Sequence, residues 1–174
     1  MQGESVYRNV PLAALFATLG ILFPILFHFT GLGSMFLPMF LPVTMGAALL
    51  PPMVAVSVAI LVPLLSFLFT GMPPPYPPIL FMVIVELVII SGITSLLSYR
   101  KKWSIWLSLL ISLSVDRIFL YLFVLLFAKM LGFPERFYST GAVLYGIPGI
   151  ILIFLVVPAT LNFLGRRYPY ILKK

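Results

Sequence analysis

The stretch ILFMVIVELVIISGITSLL, residues 79–97, followed closely by Arg100-Lys101-Lys102, decides the class of fold. As a helix it extends about 28 Å at about 1.5 Å per residue, close to the roughly 30 Å hydrocarbon core of a bilayer. It carries a single charge, Glu86, and it stops at a basic cluster. Such a run is a transmembrane helix anchored at a membrane surface by its cationic end.

Reading outward from it, further apolar runs cover 10–30, 36–50, 53–69, 103–127 and 141–164. The breaks between them carry helix-breaking chemistry: Gly31, Gly33 and Ser34; the pair Pro51-Pro52; and Gly71-Met72-Pro73-Pro74-Pro75-Tyr76-Pro77-Pro78. Proline lacks the backbone donor that a continuing helix needs, so the last of these is a turn or extended cap. The second segment is short and holds Pro38 and Pro42, so it reads as a span or as one arm of a re-entrant hairpin. The expected fold is an all-α integral membrane protein, a single six-helix transmembrane bundle. The first run is long for a signal-peptide core and no small-residue cleavage site follows it, so it is expected to be a retained span.

Composition agrees. Hydrophobic residues are 62% of the 174 positions and charged residues 9%, whereas soluble domains carry roughly a quarter charged residues. Mean hydropathy is +1.19. The chain has no cysteine, which excludes disulfides, thiolate metal sites and cysteine nucleophiles. Its net charge of +7 does not point to nucleic acid, because the basic residues sit at the ends of apolar runs. With the N-terminus inside, the inner face receives Arg8, Arg100, Lys101, Lys102, Arg166, Arg167, Lys173 and Lys174, and the outer face only Lys129 and Arg136. That asymmetry places both termini on the cytoplasmic side.

Charges within spans are expensive and call for a reason. Glu86 falls about 10 Å inward from the outer start of its span, and Asp116 and Arg117 reach a similar depth on the next one. Tyr145 enters the last span at the same level, and His28 lies near the outer end of the first. Hydrogen-bonding groups from four spans thus share one layer in the outer third of the bilayer. Glu86 and Arg117 either neutralise one another as a structural pair or face a ligand, and a pair bordering a cavity does both. Adjacent residues point about 100° apart on a helix, so Arg117 is assigned to the ligand or to Glu86, and Asp116 to a supporting partner. Tyr76, Tyr138 and Tyr145 are candidates to stack on a ligand, or else interface aromatics. The Pro-rich 72–78 segment, with 31–34 and 132–140, is placed to cover the layer as a lid.

Ala13 and Ala17 stand four apart on the first span, with Gly20 further along that face. Small residues at this spacing let helices approach closely in lipid, either within the bundle or against another protein. Gly146, Pro148 and Gly149 mark a kink or close crossing in the last span.

Taken in order, Phe40-Leu41-Pro42-Val43 with Gly46, the run from Pro63-Leu64-Leu65-Ser66 to Thr70-Gly71-Met72-Pro73-Pro74, Glu86-Leu87, Asp116-Arg117 and Gly146-Ile147-Pro148-Gly149 resemble the substrate-binding S components of energy-coupling factor (ECF) transporters. The resemblance runs over nearly the whole chain. Where members of this type often have Met-His before Pro-Val, this chain has Met39-Phe40. It implies a high-affinity binder of a vitamin or vitamin precursor, such as a B6-like heterocycle, in a bacterial cytoplasmic membrane. It further implies a transmembrane coupling protein, docked on Ala13, Ala17 and Gly20, and two cytoplasmic ATPases that power import. The absence of a Gly-x4-Gly-Lys-Ser/Thr phosphate loop from the sequence fits that division of labour. The ligand set expected on this reading is Glu86, Arg117, Tyr145, Tyr76, Tyr138, His28 and Asp116, with no cofactor and no metal. An enzyme is not expected, since one His, no Cys and two intramembrane carboxylates do not compose a metal cluster or an activated nucleophile. The competing expectation is a self-sufficient proton-coupled carrier or channel.

Overall fold

The computed structural model of the chain describes residues 2–28, 37–76, 79–127 and 146–167, the side chains of 2–8, 28 and 127 excepted. Every regular element among them is helical: α1 Gln2–His28, α2 Phe40–Leu49, α3 Pro52–Thr70, α4 Ile79–Thr94 continued by a π-helical turn Ser95–Arg100, α5 Ile105–Phe127 and α6 Ile147–Arg167. Lipid offers backbone groups no partner, so each span must close its own hydrogen bonds, and a helix does so. Five of the helices are long and apolar enough to cross a membrane. The chain is therefore a multi-pass membrane protein of helical-bundle class.

The segment 36–50, which reads in the sequence as a span or as one arm of a re-entrant hairpin, holds a short helix. Its helix, α2, has 10 residues, about 15 Å of rise, or half a hydrocarbon core. It starts from a turn in which Phe40 N donates to Leu37 O at 2.9 Å, with Leu37 at φ 48°. It ends at Leu50, whose extended backbone is followed by Pro51 and Pro52. Proline has no N–H to donate, so the helix cannot run through this point. The same residues open α3, where a proline in the first turn loses nothing. At its far end α3 stops on Gly71, left-handed at φ 72°, whose N–H caps Phe67 O. Four helix-interior prolines, Pro11, Pro24, Pro63 and Pro158, are accommodated without ending their spans.

Interior contacts fix the directions of the helices. A Cβ on Gly46 would lie 2.9 Å from Phe16, and one on Gly20 would lie 2.8 Å from Val62 and 3.3 Å from Val43. Hence α2 runs against α1, and α3 returns alongside α1. Ser95 Oγ donates to Leu50 O at 2.6 Å, so α4 descends to the end where α2 stops. Thr94 Oγ1 bonds Ser112 Oγ at 2.9 Å, which sets α5 against α4. The edge-on rings of Trp106 and Phe154, 5.1 Å apart, set α6 against α5. One end of the bundle therefore gathers the first turns of α1, the α2–α3 break, exposed Arg100, Lys101 and Lys102, and exposed Arg166 and Arg167.

The core lies around α2, which packs on α1, α3, α4 and α6. Val43, Ala47, Leu50, Ala59, Val62, Leu87, Ile90, Leu109, Ile153 and Val157 are almost fully enclosed. The faces turned to lipid carry Leu22, Leu26, Phe69, Phe81, Ile118, Leu125, Leu155 and Phe163. An apolar outside is what a bundle dissolved in hydrocarbon requires.

Candidate functional site

The two helices α4 and α5 bring the three intramembrane charges into one cluster. Arg117 Nη2 lies 2.9 Å from Glu86 Oε1 and 2.6 Å from Asp116 Oδ2. Arg117 Nε adds a second bond to the same Asp116 oxygen at 3.0 Å. One guanidinium thus bridges carboxylates on two spans. The expectation that Asp116 and Arg117 point apart holds for their Cα–Cβ bonds, but the long arginine side chain folds back across the interval. Glu86 is 4% exposed and Asp116 0%, while the Arg117 side chain keeps 17%. Of the three, arginine is the member that still meets its surroundings.

The start of α6 and the turn before α2 stand next to the arginine. A Cβ on Gly146 would stand 3.2 Å from Arg117 Nη1 and 3.4 Å from Leu37 Cδ1. Glycine here is what lets the α6 backbone close on the guanidinium. Leu37 supplies the apolar neighbour while held left-handed at φ 48°, a conformation that costs an L-residue about 1–2 kcal/mol. The first turn of α2 therefore stands at the level of the charged cluster.

Below the cluster runs a seam of buried hydroxyls. Ser108, Ser112 and Asp116 recur every fourth residue on α5, and on α4 and its π-helical turn Ser91, Thr94 and Ser95 lie at neighbouring levels, Thr94 facing α5 and Ser95 facing α2. All six are enclosed. Thr94 and Ser112 bond one another, and Ser95 caps Leu50 O. Sequence reading did not single out the five hydroxyl residues among them. The signal was present in the i, i+4 spacing of Ser108, Ser112 and Asp116, which lays them on one stripe.

Of the other expected site residues, Tyr76 is 77% exposed at the end of the described Pro-rich turn, and among the described residues no hydrogen bond joins it to the cluster. Tyr138, Tyr145 and the His28 side chain lie outside what the structure describes, as do 31–34 and 132–140. Ala13 and Ala17 are half-buried against the core, and Gly20 is buried against Val62 and Val43. The small residues of α1 are thus used within the chain. Among the described residues no three His, Asp or Glu side chains group as a metal site.

Two carboxylates and one guanidinium sum to one negative charge when all are ionised. Compared with protein-family models, with curated proteins and with solved structures, the chain matches none.

Proposed function

We propose that this protein is the substrate-capture subunit of an ATP-driven, ECF-type importer, taking up a vitamin or vitamin precursor across a bacterial cytoplasmic membrane with both termini inside. The observation that carries the reading is the Glu86–Arg117–Asp116 bridge, held between two spans with both carboxylates enclosed and 17% of the Arg117 side chain still exposed. A buried ion pair at best breaks even against apolar packing, so its retention in lipid argues for use. A donor edge with an apolar neighbour at Leu37 suits a small polar heterocycle, on which Arg117 fixes orientation and the apolar wall supplies burial. The order of motifs from Phe40 to Gly149 supports the same assignment, as does the gathering of Arg100–Lys102 and Arg166–Arg167 at one end. A coupling protein docking on α1 has the half-buried Ala13 and Ala17 as its approach, with Gly20 committed to the bundle.

The test is mass spectrometry of small molecules released on denaturing the protein purified in mild detergent. A stoichiometric heterocyclic vitamin or precursor is expected. No released compound, together with no rise in Tm across a vitamin panel, would overturn the reading. The surplus carboxylate favours one second reading, a proton-coupled carrier. Uptake into vesicles by the purified protein alone, without ATPases, decides for that carrier.

A further inference from the structure

Three oxygens inside the bundle have no hydrogen-bond partner among the described residues: Asp116 Oδ1, Ser91 Oγ and Thr44 Oγ1. Each belongs to a residue with no exposed surface. An orphaned polar atom away from water costs about 1–3 kcal/mol, so three together need an account.

Their levels along the helix axes are close. The bonds Ser95–Leu50 and Thr94–Ser112 mark one level shared by α2, α4 and α5. Counting away from it toward the charged cluster, Ser91 and Asp116 stand four residues on, about 6 Å, and Thr44 six residues on, about 9 Å. On α4, Ser91 lies angularly between Thr94, which faces α5, and Ser95, which faces α2. It therefore points between α5 and α2, on the side of α4 that faces the Ser112–Asp116 stripe. Five other hydroxyls settle on their own helix: Thr18, Ser57, Thr70, Ser98 and Ser108 each donate to the carbonyl four residues back. Ser91 and Thr44 forgo that bond.

We infer that Asp116 Oδ1, Ser91 Oγ and Thr44 Oγ1 form the core of a buried site for a monovalent alkali cation, of which Na⁺ is the expected occupant. The donor set is all oxygen, which suits a hard ion rather than a transition metal. With both carboxylates ionised, one positive charge balances the surplus left by the Glu86–Arg117–Asp116 bridge, whereas a divalent ion would overshoot. The ion would hold Asp116 from the side opposite Arg117, bracing the carboxylate that orients the guanidinium.

The experiment needs no substrate. Thermal unfolding of the purified protein is followed in NaCl, KCl, LiCl and choline chloride at matched ionic strength. The expected result is a Tm that rises with the logarithm of Na⁺ concentration and does not rise with choline. Asp116→Asn is expected to abolish the dependence. Because that variant also disturbs Arg117, Ser91→Ala and Thr44→Val serve as milder probes, each expected to raise the half-saturating Na⁺ concentration about tenfold. Equal Tm in all four salts overturns the site, and means that water or a proton on Asp116 fills its place. A Na⁺ dependence unchanged in both Ser91→Ala and Thr44→Val also overturns it, by placing the ion elsewhere.

Discussion

Arg117 carries the cluster, and the consequences of removing it differ from those of altering Glu86. Arg117→Met strands two carboxylates in a bundle interior, a change that costs about 3–5 kcal/mol, and is expected to yield little folded protein in fluorescence-detected size exclusion. Glu86→Gln keeps an acceptor near Arg117 Nη2 at nearly the same shape, and on the proposed function it is expected to fold. Binding of the compound identified by mass spectrometry is expected to weaken tenfold or more, about 1.4 kcal/mol, in a titration on detergent-purified protein. Equal loss of folding and binding would mark the bridge as structural alone. The charged members of this site were legible in the sequence because an ionised residue inside a span is rare and its depth follows from counting. The hydroxyls were not, because Ser and Thr settle on their own helices as readily as between helices, and only the observed contacts tell the two apart.

At the scale of elements, the break between α2 and α3 and the close crossing of α1 over α2 bear the most weight. Ser95→Ala leaves Leu50 O without its 2.6 Å donor, and burial gives that carbonyl no water in exchange. Stability is expected to fall by about 1–3 kcal/mol, read as a lower Tm. Ser98→Ala, one turn on, removes only a bond back to its own helix and is expected to shift stability by less than about 0.5 kcal/mol. Gly46→Val drives a branched side chain into Phe16, already 2.9 Å from where a Cβ would sit. Overpacking of this kind costs about 1–3 kcal/mol or more, and a depressed Tm with loss of monodispersity is the expected outcome. The five long spans were readable from length and hydropathy. The extent of α2 was not, since Pro38, Pro42 and Pro51-Pro52 show where a helix is difficult without showing how much of an apolar run remains helical. The π-helical turn at Ser95–Arg100 likewise has no signature in the residues themselves.

For the whole molecule, the geometry puts Ser104 and Arg166 near one end and Met72 near the other. The chain has no cysteine, so single cysteines report their side of the membrane without background. On the proposed orientation, Met72→Cys is expected to react with an impermeant maleimide in intact cells, and Ser104→Cys and Arg166→Cys only after permeabilisation. Labelling of Ser104→Cys and Met72→Cys from the same side would refute the arrangement. The short helix α2 has a further consequence, for biogenesis. A ten-residue segment enclosed on most sides is too short to partition into lipid by itself, and eight of its residues, Phe40, Pro42, Val43, Thr44, Gly46, Ala47, Ala48 and Leu49, are buried. The insertion machinery therefore has no reason to release it as an independent span. Of the helices that bury it, α3, α4 and α6 all follow it in the chain, so the enclosure of α2 is completed only when the last span has been made, and assembly of this bundle is ordered in time by its shortest element.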